Sequence, residues 1–157
     1  MKKILLAFMA FVMLCACGGG EPSNFDYKGL SMRLPFKTFV DSLVSRGFTV
    51  DSAKTDSDWN RVSLAHPGLN YRLMLAQRND TLLALQENYM VSTNDSTRRM
   101  WQEFRDQMEK DFGTWPNMPK HGDDHKIAKF ETDGGFITLT LENTYRPTLS
   151  VLYEVKQ

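Results

Sequence analysis

Two segments of the sequence carry apolar residues at the spacing of an α-helix, and this pattern decides which folds the chain can adopt. The first segment follows Pro35 and ends near Gly47, and its apolar residues are Phe36, Phe39, Val40, Leu43 and Val44. The second begins near Asn94 and ends at Gly113, and its apolar residues are Met100, Trp101, Phe104, Met108 and Phe112. Apolar residues three and four positions apart share one helix face, and glycine is common directly after a helix. The sequence therefore predicts two amphipathic helices.

Most other segments alternate apolar and polar residues, which is typical of strands with one buried face. Strands are predicted at 30–34, 48–50, 61–66, 71–77, 81–91, 126–132, 136–142 and 148–155. Residues 115–124 hold two prolines and are predicted to be a loop. The order strand, helix, strands, helix, strands predicts an α+β fold, in which an antiparallel sheet of about seven strands carries two helices packed on one face.

The composition is that of an ordinary globular protein. The chain has 157 residues with 19 basic and 19 acidic side chains, so its formal net charge is zero. A strongly basic nucleic-acid-binding protein and an acidic disordered chain are therefore excluded. Residues 25–157 are predicted to form a single domain, because the apolar periodicity continues through them without a second linker. The sequence carries no phosphate-binding loop and no serine-nucleophile motif, and no cofactor is predicted.

The first 16 residues have the layout of a secretory signal peptide. Lys2 and Lys3 precede the apolar run 4–14, which is followed by Cys15, Ala16 and Cys17. As a helix this run would span about 16 Å, about half of a hydrocarbon core, so it is too short for a stable membrane span. Residues 14–17 resemble the lipobox of bacterial lipoproteins, in which a small residue precedes a cysteine that is acylated on sulfur. The resemblance implies cleavage before Cys17, lipidation of Cys17 and a flexible tether over residues 17–24.

Two alternatives to lipidation at Cys17 remain. Cys15 is a second cysteine in the same segment, but the residue before it, Leu14, is bulky where the lipobox has a small residue. A plain signal peptide cleaved at another position is the other alternative. With lipid on Cys17, each buried methylene contributes about 0.8 kcal/mol to anchoring, and the predicted partner is a membrane.

A short polar segment is the best candidate for a metal site. His121, Asp123 and His125 combine imidazole and carboxylate groups, which are suitable zinc ligands. The segment carries no HExxH pattern, and a glycine and nearby prolines oppose the helical turn that would bring both histidines to one ion. A solvated loop is the alternative interpretation of the same residues.

Aromatic residues outside the helical stripes are candidates for ligand binding. They are Tyr27, Trp59, Trp115 and Tyr145. Tyrosine and tryptophan combine an apolar ring with a polar edge, and they are common on binding surfaces. Trp59, Trp115 and Tyr145 are the predicted ligand-binding residues, whereas the alternative is that they cover edges of the core.

The start of the predicted domain resembles a known group of proteins. The segments 25–32, 39–43 and 46–48, which read FDYKGLSM, FVDSL and RGF, resemble the opening of the mature domain in small exported lipoproteins of Bacteroidota. The resemblance implies a lipid-anchored protein of the cell envelope, at the outer membrane, and no assigned activity. The same bacteria attach O-glycans at D-[ST]-[AILVMT] motifs, so the resemblance also implies candidate glycosylation sites at Ser52 and Thr81.

The function predicted from these observations is a lipid-anchored, non-enzymatic domain that binds an envelope protein, a glycan or a small ligand. The alternative is an envelope hydrolase that uses the His121–His125 segment with a metal, or a carboxylate pair. A third hypothesis is a module that adds a strand to the sheet of another protein, for which an exposed edge strand is needed.

Overall fold

The structure is a computed structural model that describes residues 25–157. The predicted signal peptide 1–16, the predicted lipidation site Cys17 and the predicted tether 17–24 lie outside the described residues. The elements are β1 (Asp26–Tyr27), β2 (Leu30–Ser31), α1 (Phe36–Ser45), β3 (Thr49–Val50), β4 (Arg61–Ala65), β5 (Tyr71–Arg78), β6 (Thr81–Tyr89), α2 (Asn94–Phe112), β7 (Asn117–His121), β8 (His125–Glu131), β9 (Gly135–Glu142) and β10 (Thr148–Val155).

The strands form one large sheet and one small hairpin. The eight-stranded sheet has the order β3-β4-β5-β6-β10-β9-β8-β7, and β1 pairs with β2 separately. All pairs are antiparallel. The predicted α+β class with two helices and an antiparallel sheet is confirmed. The predicted number of about seven strands is wrong, because the N-terminal hairpin and an additional edge strand were not recognised.

Both helices begin and end at the predicted signals. The side chain of Thr93 accepts a hydrogen bond from the Ser96 amide at the start of α2, and the Ser96 side chain interacts with the Thr93 amide in return. Gly113 ends α2 in the left-handed conformation with φ of 63°. The helix ends were therefore readable from local sequence alone.

The predicted loop 115–124 contains the edge strand β7, which corrects the prediction. Proline removes a ladder donor, and it is tolerated in a sheet mainly at an edge. β7 lies at the end of the sheet and pairs only with β8, with an irregular register between Asn117 and Lys120 that accommodates Pro119.

One face of the large sheet is buried. Opposed residues share a face in an antiparallel pair, and the register aligns Leu73 with Glu87 and Val151 with Leu139. The alternate residues point to the other face, where Met74 is 41% exposed. The buried side chains of both helices and of the sheet belong to one hydrophobic cluster.

The placement of the two helices differs from the prediction that both pack on one face of the sheet. α2 lies across β9 and β10, and its Trp101 is fully buried. The closest backbone contacts of α1 are instead with β2. Its first residue is also tied to the β5–β6 turn, because the Phe36 amide donates a hydrogen bond of 2.8 Å to the Asp80 carbonyl. The N-terminal hairpin therefore provides part of the packing surface for α1 that the prediction placed on the large sheet.

None of the helices within residues 25–157 is both long enough and apolar enough to cross a bilayer.

Candidate functional site

A cleft opens between the C-terminal half of α2, the β1–β2 hairpin and the buried face of the sheet. Its volume is about 360 Å³, which is within the range of small-molecule sites. Its apolar lining consists of Phe25, Phe104, Met108, Phe112, Ile137 and Val151. Its polar lining consists of Asp26, Lys28, Glu87, Tyr89, Gln107, Asp111 and Tyr153. We call this site the α2 cleft.

Phe25 forms one wall of the α2 cleft because two glycines let its ring approach the β8–β9 turn. A Cβ atom on Gly135 would lie 2.6 Å from a carbon of the Phe25 ring, and one on Gly134 would also meet Phe25. Side chains at these two positions would displace the ring and overpack the site. The two adjacent glycines thus help to set the shape of the cleft.

A buried carboxylate lies at the floor of the cleft. Glu87 on β6 is only 2% exposed, because its side chain points to the same buried face of the sheet as those of Leu85 and Tyr89. It accepts hydrogen bonds from the hydroxyl of Tyr27 at 2.7 Å, the ammonium of Lys28 at 2.8 Å and the hydroxyl of Tyr89 at 2.8 Å. Burial of an ionised group is costly unless it is paired and hydrogen-bonded, and these three donors satisfy both oxygens.

Lys28 completes this cluster from the β1–β2 turn. Its ammonium also donates a hydrogen bond to the Tyr71 hydroxyl and lies 4.4 Å from the centre of the Tyr71 ring. We call Tyr27, Lys28, Tyr71, Glu87 and Tyr89 the Glu87 cluster. The side chain of Lys28 is 51% exposed, so its charge is shared between Glu87 and the open side of the cleft.

The backbone at Lys28 adopts a conformation that lysine rarely takes. Its φ is +50°, and the next residue, Gly29, has φ of +76°. Two such residues form the tight turn of this hairpin, where Asn-Gly is the preferred pair. A side chain in this region costs about 1 kcal/mol.

Burial and the charge of Glu87 shift the pKa values of three tyrosines and a lysine at the site. Burial raises the pKa of Tyr27 and Tyr89 above the ordinary range, and the negative charge of Glu87 raises both further. Burial and the charge of Glu87 also raise the pKa of Tyr153. Burial lowers the pKa of Lys28, but hydrogen bonds to Glu87 and Tyr71 outweigh it and the net pKa is raised. At neutral pH the tyrosine hydroxyls and the Lys28 ammonium are therefore protonated, and those of Tyr27, Tyr89 and Lys28 are directed at Glu87.

No family model, curated protein or solved structure matches the chain.

The structure does not bring the three predicted metal-binding residues together as a ligand set. His121 ends β7, Asp123 lies in the exposed turn, and His125 begins β8. The Nδ1 atom of His125 lies 3.3 Å from a carboxylate oxygen of Glu142, and the ring of His121 is 6.4 Å from that of Trp101. Within residues 25–157 no group of three or more His, Cys, Asp or Glu side chains is arranged to hold a metal ion.

The predicted ligand-binding aromatic residues are exposed but far apart in the fold. Trp59 precedes β4 near one end of the sheet order, whereas Trp115 precedes β7 at the other end. Tyr145, in the β9–β10 turn, is 97% exposed. Trp59 and Trp115 therefore lie toward opposite edges of the sheet. Tyr27, also considered for this role, is instead fully buried in the Glu87 cluster.

The candidate glycosylation sites are both on the surface. Ser52 lies in a short 3-10 turn over Ser52–Lys54, and Thr81 is the first residue of β6. Both residues are exposed. Their modification stays a prediction.

The two edges of the large sheet differ in their backbone hydrogen bonding, which bears on the strand-addition hypothesis. Beside β4, the amides of Asp51 and Asp56 donate to the carbonyls of Ser63 and Arg61, and Thr55 accepts from the Ser63 amide. At the other edge, β7 contains Pro119. A peptide strand therefore finds few free backbone groups beside β4, whereas β7 pairs with β8 alone and Pro119 removes one of its backbone donors.

The Glu87 cluster was missed in the sequence, although one signal for it was present. Glu87 occupies the same alternating phase as Leu85 and Tyr89, which is the phase of the buried face. A charged residue at such a position needs partners inside the fold. The partner Lys28 is 59 residues away in sequence, so no local pattern identified it.

Proposed function

We propose that the chain is a lipid-anchored domain of the bacterial cell envelope that binds a small amphiphilic ligand in the α2 cleft. The observation that carries this proposal is a cleft of about 360 Å³ with apolar walls and, at its floor, the buried carboxylate of Glu87 with its three hydrogen-bond donors. Apolar walls with a few fixed polar groups are the common composition of small-molecule sites.

Binding fits the cleft better than the alternative of hydrolysis. The oxygens of Glu87 are occupied by three donors, and the residue is almost inaccessible, so it is badly placed to take a proton from a substrate. Tyr27, Tyr89 and Lys28 donate hydrogen bonds to Glu87, so none of them is placed to act as a general base. The histidines of the alternative hydrolase, His121 and His125, do not line the cleft.

Ligand binding in the cleft can be tested by a substitution on α2 that blocks the opening of the cleft. Gln107 is exposed and lines the cleft, so Gln107→Trp places a large ring across the opening. We expect N-phenyl-1-naphthylamine, a neutral apolar dye, to bind the full chain carrying Cys17→Ala, and Gln107→Trp to weaken binding at least about tenfold. Cys17→Ala keeps acyl chains from competing with the dye. The measurement is a titration of the dye fluorescence.

Gln102→Trp is the matched control for this titration. Gln102 is also exposed on α2 but does not line the cleft, so its replacement leaves dye affinity unchanged. Equal effects of the two substitutions, or no binding by the starting protein, contradict the proposed site.

The anchoring part of the proposal rests on residues 1–17 of the sequence. We expect cells that express the chain to incorporate labelled palmitate into it and to retain it in the outer-membrane fraction. Cys17→Ala abolishes the label because it removes the acylated sulfur, whereas Cys15→Ala leaves it unchanged. Palmitate label that persists in Cys17→Ala contradicts this part of the proposal.

A further inference from the structure

We propose that the ligand of the α2 cleft carries a cationic head group, an ammonium or a guanidinium, on a short apolar body. This inference rests on the proposed function and names the chemical class of its ligand. It follows from the charges that line the cleft, from the polarity of the helix end beside it and from the aromatic rings in its wall.

The charges that line the cleft sum to a negative value. Among the described residues Lys28 is the one cation of the lining, and its ammonium lies 2.8 Å from a Glu87 oxygen, so these two opposite charges cancel in the sum. Two further carboxylates line the cleft, Asp26 on β1 and Asp111 on α2. Neither forms an ion pair with another residue of the described part of the chain, and Asp111 accepts a hydrogen bond from the neutral side chain of Gln107. Two uncompensated negative charges therefore remain.

The two free carboxylates belong to different walls of the cleft. Asp26 adjoins Phe25 on the hairpin, and Asp111 lies one residue before the end of α2. The C-terminal end of a helix carries a partial negative charge from its free carbonyl groups. This end thus adds to the attraction of a cation, and it adds to the repulsion of an anion.

The apolar side chains that line the cleft determine which apolar body the ligand can carry. Phe104 and Tyr89 pack edge to face with ring centres 5.0 Å apart, and Met108 lies beside them in the lining. Aromatic rings attract cations at their faces and also bury apolar groups. A short arylalkyl or alkyl amine therefore matches the cleft in both polarity and size.

The test compares three probes that share one apolar body. They are 2-phenylethylamine, 2-phenylethanol and 3-phenylpropanoate, titrated by calorimetry into the full chain carrying Cys17→Ala at low ionic strength. We expect the amine to bind about tenfold tighter than the alcohol, and the carboxylate to bind most weakly. Added salt should reduce the preference for the amine, since the carboxylates lie at the exposed mouth.

The double variant Asp26→Asn, Asp111→Asn removes both charges and keeps their shape. It should lose the preference for the amine while its affinity for 2-phenylethanol stays unchanged. Asp58→Asn, an exposed position outside the cleft, is the matched control and keeps the preference. A carboxylate probe that binds as tightly as the amine overturns the cationic head group but leaves the proposed cleft standing. Failure of all three probes overturns both.

Discussion

Replacing Glu87 with alanine is expected to lower the free energy of unfolding by about 3 kcal/mol. The substitution leaves the hydroxyl of Tyr27, which is 1% exposed, without its acceptor and leaves Lys28 without its counter-charge. Lys28 can turn partly to water because it is half exposed, which limits the loss to the lower part of the usual range for a broken buried pair. Urea denaturation followed by circular dichroism at pH 7 measures the change.

Two further variants test whether the loss comes from the charge of Glu87 or from any substitution in this part of β6. Glu87→Gln keeps an acceptor oxygen but no charge, so it should cost less than Glu87→Ala. Gln86→Ala changes the neighbouring residue, which points to the opposite face of β6, and should alter stability by less than about 0.5 kcal/mol. Equal, small losses for Glu87→Ala and Gln86→Ala would falsify the role of the cluster in stability.

The fold is expected to lose stability steeply above pH 10. Burial and the charge of Glu87 raise the pKa of Tyr27, Tyr89 and Tyr153 in the folded chain. Above about pH 10 the unfolded chain releases these protons while the folded chain retains them, so the unfolded state is favoured as pH rises. Once all three tyrosines ionise in the unfolded chain, the loss approaches about 4 kcal/mol per pH unit. Lys28 acts in the same direction, because its stabilising contribution is present below its unfolded pKa and is lost as pH rises through its raised folded pKa.

Denaturation between pH 8 and pH 11 measures this dependence. Tyr89→Phe removes one of the three tyrosines and should reduce the slope by about 1.4 kcal/mol per pH unit. Tyr145→Phe, at a residue that is 97% exposed, should leave the slope unchanged. A flat profile through pH 11, or the same slope in both variants, contradicts the protonated state assigned to the cleft.

Local patterns predicted the parts of the fold that depend on neighbours in sequence. α2 begins at a capping box made by Thr93 and Ser96 and ends at Gly113, and each of these signals lies within four residues of its helix end. The turns between β4 and β5, β5 and β6, β8 and β9, and β9 and β10 were predicted in the same way, from glycine, proline, asparagine and aspartate, whereas the β1–β2 turn was not. The strand β7 was missed because its Pro119 is a loop signal unless the strand is known to be at an edge.

The candidate site depends on contacts that no local pattern contains. Glu87 meets Tyr27 across 60 residues of sequence and Lys28 across 59. These contacts become visible only when the register of β6 and the position of the N-terminal hairpin are both known. The exposed aromatic residues Trp59, Trp115 and Tyr145 were a weaker guide, since exposure alone does not place residues together.

The most direct test of the α2 cleft uses the methyl groups of methionine as reporters. Met108 lines the cleft, whereas Met74 is exposed on the opposite face of the sheet. With 13C-methyl methionine in the full chain carrying Cys17→Ala, addition of 2-phenylethylamine should shift the NMR signal of Met108 in a saturable manner and leave that of Met74 in place. A saturable shift at Met74 with none at Met108, or no shift at either, contradicts binding in the α2 cleft.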